Sequence, residues 1–195
     1  RNQTLRHYLF WFMVPALLGP SAFGTAFFFH QVHFADLKGI AHVELVAMYP
    51  FFTLVSIGAM IASGWALDRF GAAALISYFQ LPMVIGFVIF AYATGPIGLL
   101  TGFLFIGLAI GFNTTLPAAF WAEFYGTGNI GSIKAMATAV MVLGSAIGPG
   151  VTGVLIDLGL GLETQYILVG AYFIVATGMM MIGVTRARPA LPLAS

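Results

Sequence analysis

Gly64-Trp65-Ala66-Leu67-Asp68-Arg69-Phe70-Gly71 sets an acid and a base side by side between two long apolar runs that carry almost no charge. Charged side chains stop an apolar segment at the water boundary, and flanking glycines let the backbone turn sharply. The octet therefore reads as a tight polar turn between two membrane-spanning helices. An adjacent acid and base at such a junction cap one helix, start the next and reach toward neighbouring segments, so this turn decides topology and packing together.

Outward from the turn, the chain is what such a reading requires. Of 195 residues, 61% are hydrophobic and 7% charged, with a mean hydropathy of +1.02. Ordinary soluble domains carry about a quarter charged residues, so lipid is the solvent here. Six apolar runs, each needing about 20 residues to span a bilayer, use up most of the sequence and leave no length for a soluble catalytic domain. The seven basic residues are scattered rather than gathered into a phosphate-reading patch, which argues against a nucleic-acid partner. Absence of cysteine excludes disulfides and thiolate metal sites. The chain opens on Arg1 rather than Met, and its first run is too long and aromatic for a signal peptide, so a truncated or processed start is expected.

The expected fold is all-α: a single bundle of six transmembrane helices over residues 8–32, 43–67, 72–93, 98–122, 132–158 and 164–185. Gly19-Pro20, Pro50 and Pro82 are expected to bend or break their helices by removing an amide donor. A polar hairpin from His33 to His42 holds Asp36 and Lys38, and a glycine-rich loop runs from Glu123 to Gly131. Counting basic residues on the two sides gives Arg1, Arg6, Arg69, Lys134, Arg186 and Arg188 against Lys38 alone. Lys and Arg are retained on the cytoplasmic face, so both termini, the Asp68-Arg69 turn and the Glu123–Lys134 loop are expected there. Trp65 and Trp121, at the same ends, are expected to anchor at the interface.

Gly64-x-x-x-Asp68-Arg69-x-Gly71 between the second and third helices resembles the cytoplasmic signature of major facilitator superfamily transporters. Gly144-x-x-x-Gly148-Pro149-Gly150-x-x-Gly153 is similar to the Gly-Pro signature on the fifth helix of each half of that fold. Trp121 to Gly126, followed by Gly131-Ser132-Ile133-Lys134, looks like the link before that helix in the monocarboxylate and oxalate/formate branch. The resemblance covers the whole chain and implies the C-terminal six-helix half of a major facilitator, a 3+3 inverted repeat. Two departures stand beside it. Ala72, Ala73 and Ala74 replace the basic residues that usually follow the signature, and no Lys or Arg lies at bilayer depth to hold a substrate anion.

The residues allow two readings at most positions. Gly64, Asp68, Arg69 and Gly71, with Glu123 and Lys134, either form a breakable cytoplasmic charge network or simply stop helices at the interface. His30, beside Phe27 to Phe29, and Gln31 lie where they either line a pathway or belong to an aromatic belt and to interhelical hydrogen bonding. Thr53, Asn113 and Thr114 either face a cavity or satisfy backbone, as Asn113 and Thr114 sit just before Pro117. Gly144, Gly148, Pro149 and Gly153 are helix-packing positions, and Gly107-x-x-x-Gly111 repeats the spacing.

No catalytic residue, metal or cofactor is expected. An intramembrane hydrolase needs a Ser/His pair at depth, yet all four histidines lie at or before His42, far from Ser145. The expected function is a secondary active transporter module in the plasma membrane or bacterial inner membrane, moving a small solute by alternating access. Its partners are the bilayer and a second bundle: an N-terminal half, a second copy or a larger complex. The alternative is a structural or assembly subunit that keeps the fold without transport.

Overall fold

The computed structural model describes residues 8–128 and 130–187, so Arg1, Arg6 and Arg188 of the basic count lie outside the described residues. Among the described residues every regular element is helical: α1 (Tyr8–Phe29), α2 (Gln31–Leu37), α3 (His42–Ala47), α4 (Tyr49–Phe70), α5 (Ala72–Leu75), α6 (Leu81–Tyr92), α7 (Gly95–Tyr125), α8 (Ile130–Asp157) and α9 (Leu162–Ala187). By length and composition five of these can cross a bilayer (α1, α3 with α4, α7, α8 and α9), which makes this a multi-pass membrane protein.

The expected single helix over 72–93 is divided. After α5 the chain passes through turns at 76–80 before α6 begins with Pro82 in its first turn. Proline has no amide for Tyr78, and its ring crowds that carbonyl, so Tyr78 instead accepts from the Leu81 amide at 3.0 Å. Gln80, 1% exposed at this break, donates through Nε2 to the Ala16 carbonyl. Pro20 leaves that same carbonyl without its intrahelical donor, so a side chain on one broken segment completes the proline-containing helix beside it. The first expected span ends at Phe29, the second breaks at Met48 before Pro50, and α7 runs on to Tyr125.

Glycine spacing fixes the closest approaches. On α7, Gly107 lies against the Phe52 carbonyl and Val55, and Gly111 against the Ser56 carbonyl and Ala59, so α4 and α7 run parallel with backbones in contact. On α8, Gly144 lies against Leu18 and Gly148 against the Ala22 backbone, so α1 and α8 are also parallel. α6 packs on α7 and α9, and α9 packs on α1. The core has two parts. One, at the end of the bundle that holds Asp68, includes Phe10, Phe120, Trp121 and Phe124. The other, at the end that holds Lys38, is an aromatic cluster in which Phe27 stacks on Phe90 at 5.1 Å and Phe34, Phe103 and Tyr166 pack edge-on or tilted around them. Two expectations are corrected here. Trp121 is 1% exposed and Phe27 5%, so both are core rings held by neighbouring aromatics and not interfacial anchors, whereas Phe29 is 72% exposed.

Candidate functional site

The Asp68–Gly71 turn ends α4 with Gly71 at φ +75°, a conformation that favours glycine, and its amide bonds the Leu67 carbonyl at 2.9 Å. Glu123, two residues before the end of α7, reaches this turn. Its Oε2 accepts from the Ala72 amide at 2.7 Å, capping the first turn of the next segment, where an anion is favoured. The expected meeting of Glu123 with the signature thus occurs through backbone. Among the described residues no ion pair joins Asp68, Arg69, Glu123 and Lys134. The Arg69 guanidinium instead lies 5.8 Å from the ring centres of Trp65 and Phe70 on its own helix. Gly64 has open space where a side chain would go.

The pathway candidates fall into two groups at different depths. At the Lys38 end, Gln31 Oε1 accepts from the Tyr49 hydroxyl, and Thr53 Oγ1 donates to the Tyr49 carbonyl at 2.9 Å. His30 Nε2 lies 3.1 Å from the Pro149 carbonyl, and Gly153, one turn on, leaves room for the imidazole edge. The Gly-Pro segment of α8 therefore receives Ala22 of α1 at Gly148 and His30, just past the end of α1, at Pro149 and Gly153. Asn113 lies six residues beyond Gly107, about 9 Å deeper at 1.5 Å per residue. Thr114 Oγ1 donates to the Gly111 carbonyl at 2.7 Å, so it does not serve the Asn113 carbonyl that Pro117 leaves without its helical donor. Half-buried Asn113 makes no side-chain hydrogen bond among the described residues.

Three polar features at the Lys38 end were not read from sequence. Lys38, side chain 4% exposed, donates to Glu163 Oε1 at 2.7 Å and to the Ala91 carbonyl at 2.9 Å, and sits 5.8 Å from the centre of the Phe34 ring. One ammonium thus ties α2 to the carboxyl end of α6 and the amino end of α9, each the favourable pole for the charge it meets. The Tyr166 hydroxyl is buried among aromatic rings without a partner. Gln165 donates to the Leu160 carbonyl at 2.7 Å and the Thr152 carbonyl at 3.4 Å, holding the turn between α8 and α9. Among the described residues no three His, Asp or Glu side chains gather as metal ligands.

Neither protein-family models nor curated proteins yield a match to this chain.

Proposed function

We propose that this chain is one six-span half of an alternating-access secondary transporter, of the major facilitator type, working against a second bundle to move a small solute. The packing pattern carries the reading. Exchanging the first three spans for the last three swaps α1 with α7, α4 with α8, and α5–α6 with α9. That exchange turns the α1–α8 contact into α4–α7, turns α6–α7 into α9–α1, and leaves α6–α9 unchanged. Corresponding spans run in opposite directions, which is the arrangement of an inverted repeat, and transporters so built work by rocking one bundle against another. The uncovered faces agree: only 17% of the most apolar stretch of the α3–α4 span and of α8 is buried, against 33–44% for the other long spans. The basic-residue count supports an orientation with both ends cytoplasmic.

A second reading, a membrane-embedded structural subunit, is favoured by one observation. Among the described residues of the long helices, Asp, Glu, Lys and Arg occur only near helix ends, leaving no charged ligand at mid-depth. The cysteine-free sequence separates the two cleanly. Single cysteines at Thr53, Asn113 and Thr114, in native membranes, are expected to react with a membrane-impermeant maleimide if a water-filled pathway passes them. Reaction only with a lipid-soluble maleimide at all three positions would refute the transporter reading.

A further inference from the structure

A cavity of about 360 Å³ lies between α8 and α9, floored by α1. Its volume falls within the roughly 300–1,000 Å³ of small-molecule sites. The floor is Leu18, Ala22 and Phe23, and the exposed flanks include Ile147, Val151 and Leu168, each about half exposed. Of its four polar side chains, two are engaged with backbone and one is enclosed, leaving the Thr152 hydroxyl at the shallow end. The Tyr172 hydroxyl donates to the Pro15 carbonyl at 2.7 Å, the Gln165 amide donates to Leu160 and Thr152, and the Tyr166 hydroxyl is fully enclosed. A water here would find almost none of the two to four polar partners it needs. The walls select hydrocarbon.

The length of the cavity narrows the choice. Along α8 it runs from Gly144 to Leu155, and along α9 from Leu162 to Tyr172, which is about 15 Å at 1.5 Å per residue. One leaflet of a bilayer core roughly 30 Å thick has the same depth. Its deep end, at Leu18 and Gly144, falls at the middle of α1 and α8; its shallow end, at Gln165 and Thr152, falls beside the polar turn near Lys38 and Glu163. We propose that this is a lateral lipid site, taking one acyl chain of a phospholipid from the leaflet on the Lys38 side, with the ester end near Gln165 and the methyl end near Leu18. The site depends on the chain spanning a bilayer and not on the transporter reading.

The test uses the intact chain in phosphatidylcholine vesicles doped with phosphatidylcholine that carries a diazirine on one acyl chain, with adducts mapped by mass spectrometry after photolysis. With the diazirine at the chain terminus, adducts are expected at Leu18, Ala22 and Phe23; with the diazirine near the ester, at Gln165 and Thr152. Ile174 and Val175 of α9, 58% and 62% exposed and outside the cavity lining, are the lipid-facing control. Labelled controls with an unlabelled floor, or the reverse depth order, would overturn the proposal, and both readouts need only the unmutated protein. Ile147→Trp and Leu168→Trp, at exposed positions of the mouth, are expected to lose floor labelling while control labelling and thermal unfolding persist. Undiminished floor labelling in those variants would overturn the lateral entrance. Labelling of the floor by a diazirine fatty acid but not by the phospholipid would overturn the lipid source.

Discussion

Adding one methyl group at three glycines of α8 should have opposite effects at neighbouring turns. At Gly150 a Cβ meets nothing within 4 Å. Alanine there gains the helix preference that glycine lacks, about 0.5–1 kcal/mol. At Gly144 a Cβ would lie 2.8 Å from the Leu18 carbonyl oxygen, and at Gly148 it would run into the Ala22 backbone. Backbone cannot rotate aside as a side chain does, so α1 and α8 must separate; overpacking of this kind costs about 1–3 kcal/mol. Position 148 also precedes Pro149, whose ring disfavours helical geometry for a residue with a Cβ, which adds to the loss. The propensity gain is common to all three, so the difference between Gly144→Ala and Gly150→Ala isolates the clash at about 1–3 kcal/mol. For a chain of this size that is a gap of about 2–12 °C in Tm. Intrinsic fluorescence in detergent reads it, since Trp121 is fully buried and reports loss of the core. Equal melting of Gly144→Ala, Gly148→Ala and Gly150→Ala would refute the close approach of α1 and α8.

At the Lys38 end, Lys38→Met removes a charge-assisted bond to the Ala91 carbonyl, worth about 1.5–3 kcal/mol. Glu163→Gln loses at most about 1 kcal/mol, because the 55% exposed carboxylate is screened by solvent; equal destabilisation of the two in thermal unfolding would mean that the ion pair and not the carbonyl holds this end. Glu123→Ala should cost about 0.5–2 kcal/mol, the usual loss of a helix cap, with Glu123→Gln keeping most of it; a stable Glu123→Ala protein would show that the Ala72 amide has no need of the cap. His30→Phe forfeits its contact with the Pro149 carbonyl, about 0.5–1.5 kcal/mol, and unchanged melting would remove that contact from the packing of α1 on α8. Asp68→Asn should leave melting within about 0.5 kcal/mol of the parent, since no ion pair is lost in this arrangement, while altering maleimide labelling at Asn113; a large drop in Tm would tie Asp68 to the core instead.

What was legible in the sequence follows from how local each signal is. Hydropathy over about 20 residues marked every long span, and the spacing of Gly107 with Gly111 and Gly144 with Gly148 marked the contact faces, because both signals repeat within a few turns. The partners of those faces were not legible, since nothing near Gly148 names Ala22. The Lys38 tie was missed for the same reason: Glu163 lies 125 residues away, and Lys38 alone in a polar hairpin looks like an ordinary solvated charge. Trp121 misled because an indole at a helix end has the same local sequence whether it meets lipid headgroups or, as here, the ring of Phe10 at 5.9 Å. The break at 76–80 had a visible cause in Pro82, but its stabiliser, Gln80 on the Ala16 carbonyl, is again long-range.

The two ends of the bundle are held by different physics, and the difference bears on the proposed cycle. At the Lys38 end a buried ammonium joins three segments of the same bundle, so rocking of the bundle as a rigid body leaves that tie intact. At the Asp68 end Glu123 is spent on a backbone amide, and Arg69 rests against aromatic rings of its own helix. Asp68 and Lys134 have no ion-pair partner among the described residues. A ligand or a second bundle shifts an equilibrium only through contacts that differ between its states. On the proposed cycle, charges engaged within the bundle give it rigidity, whereas Asp68, Arg69 and Lys134 remain for contacts made in one arrangement and broken in the other. On that proposal the signature turn would act between bundles, whereas the network expected from sequence among Asp68, Arg69, Glu123 and Lys134 forms no ion pair among the described residues.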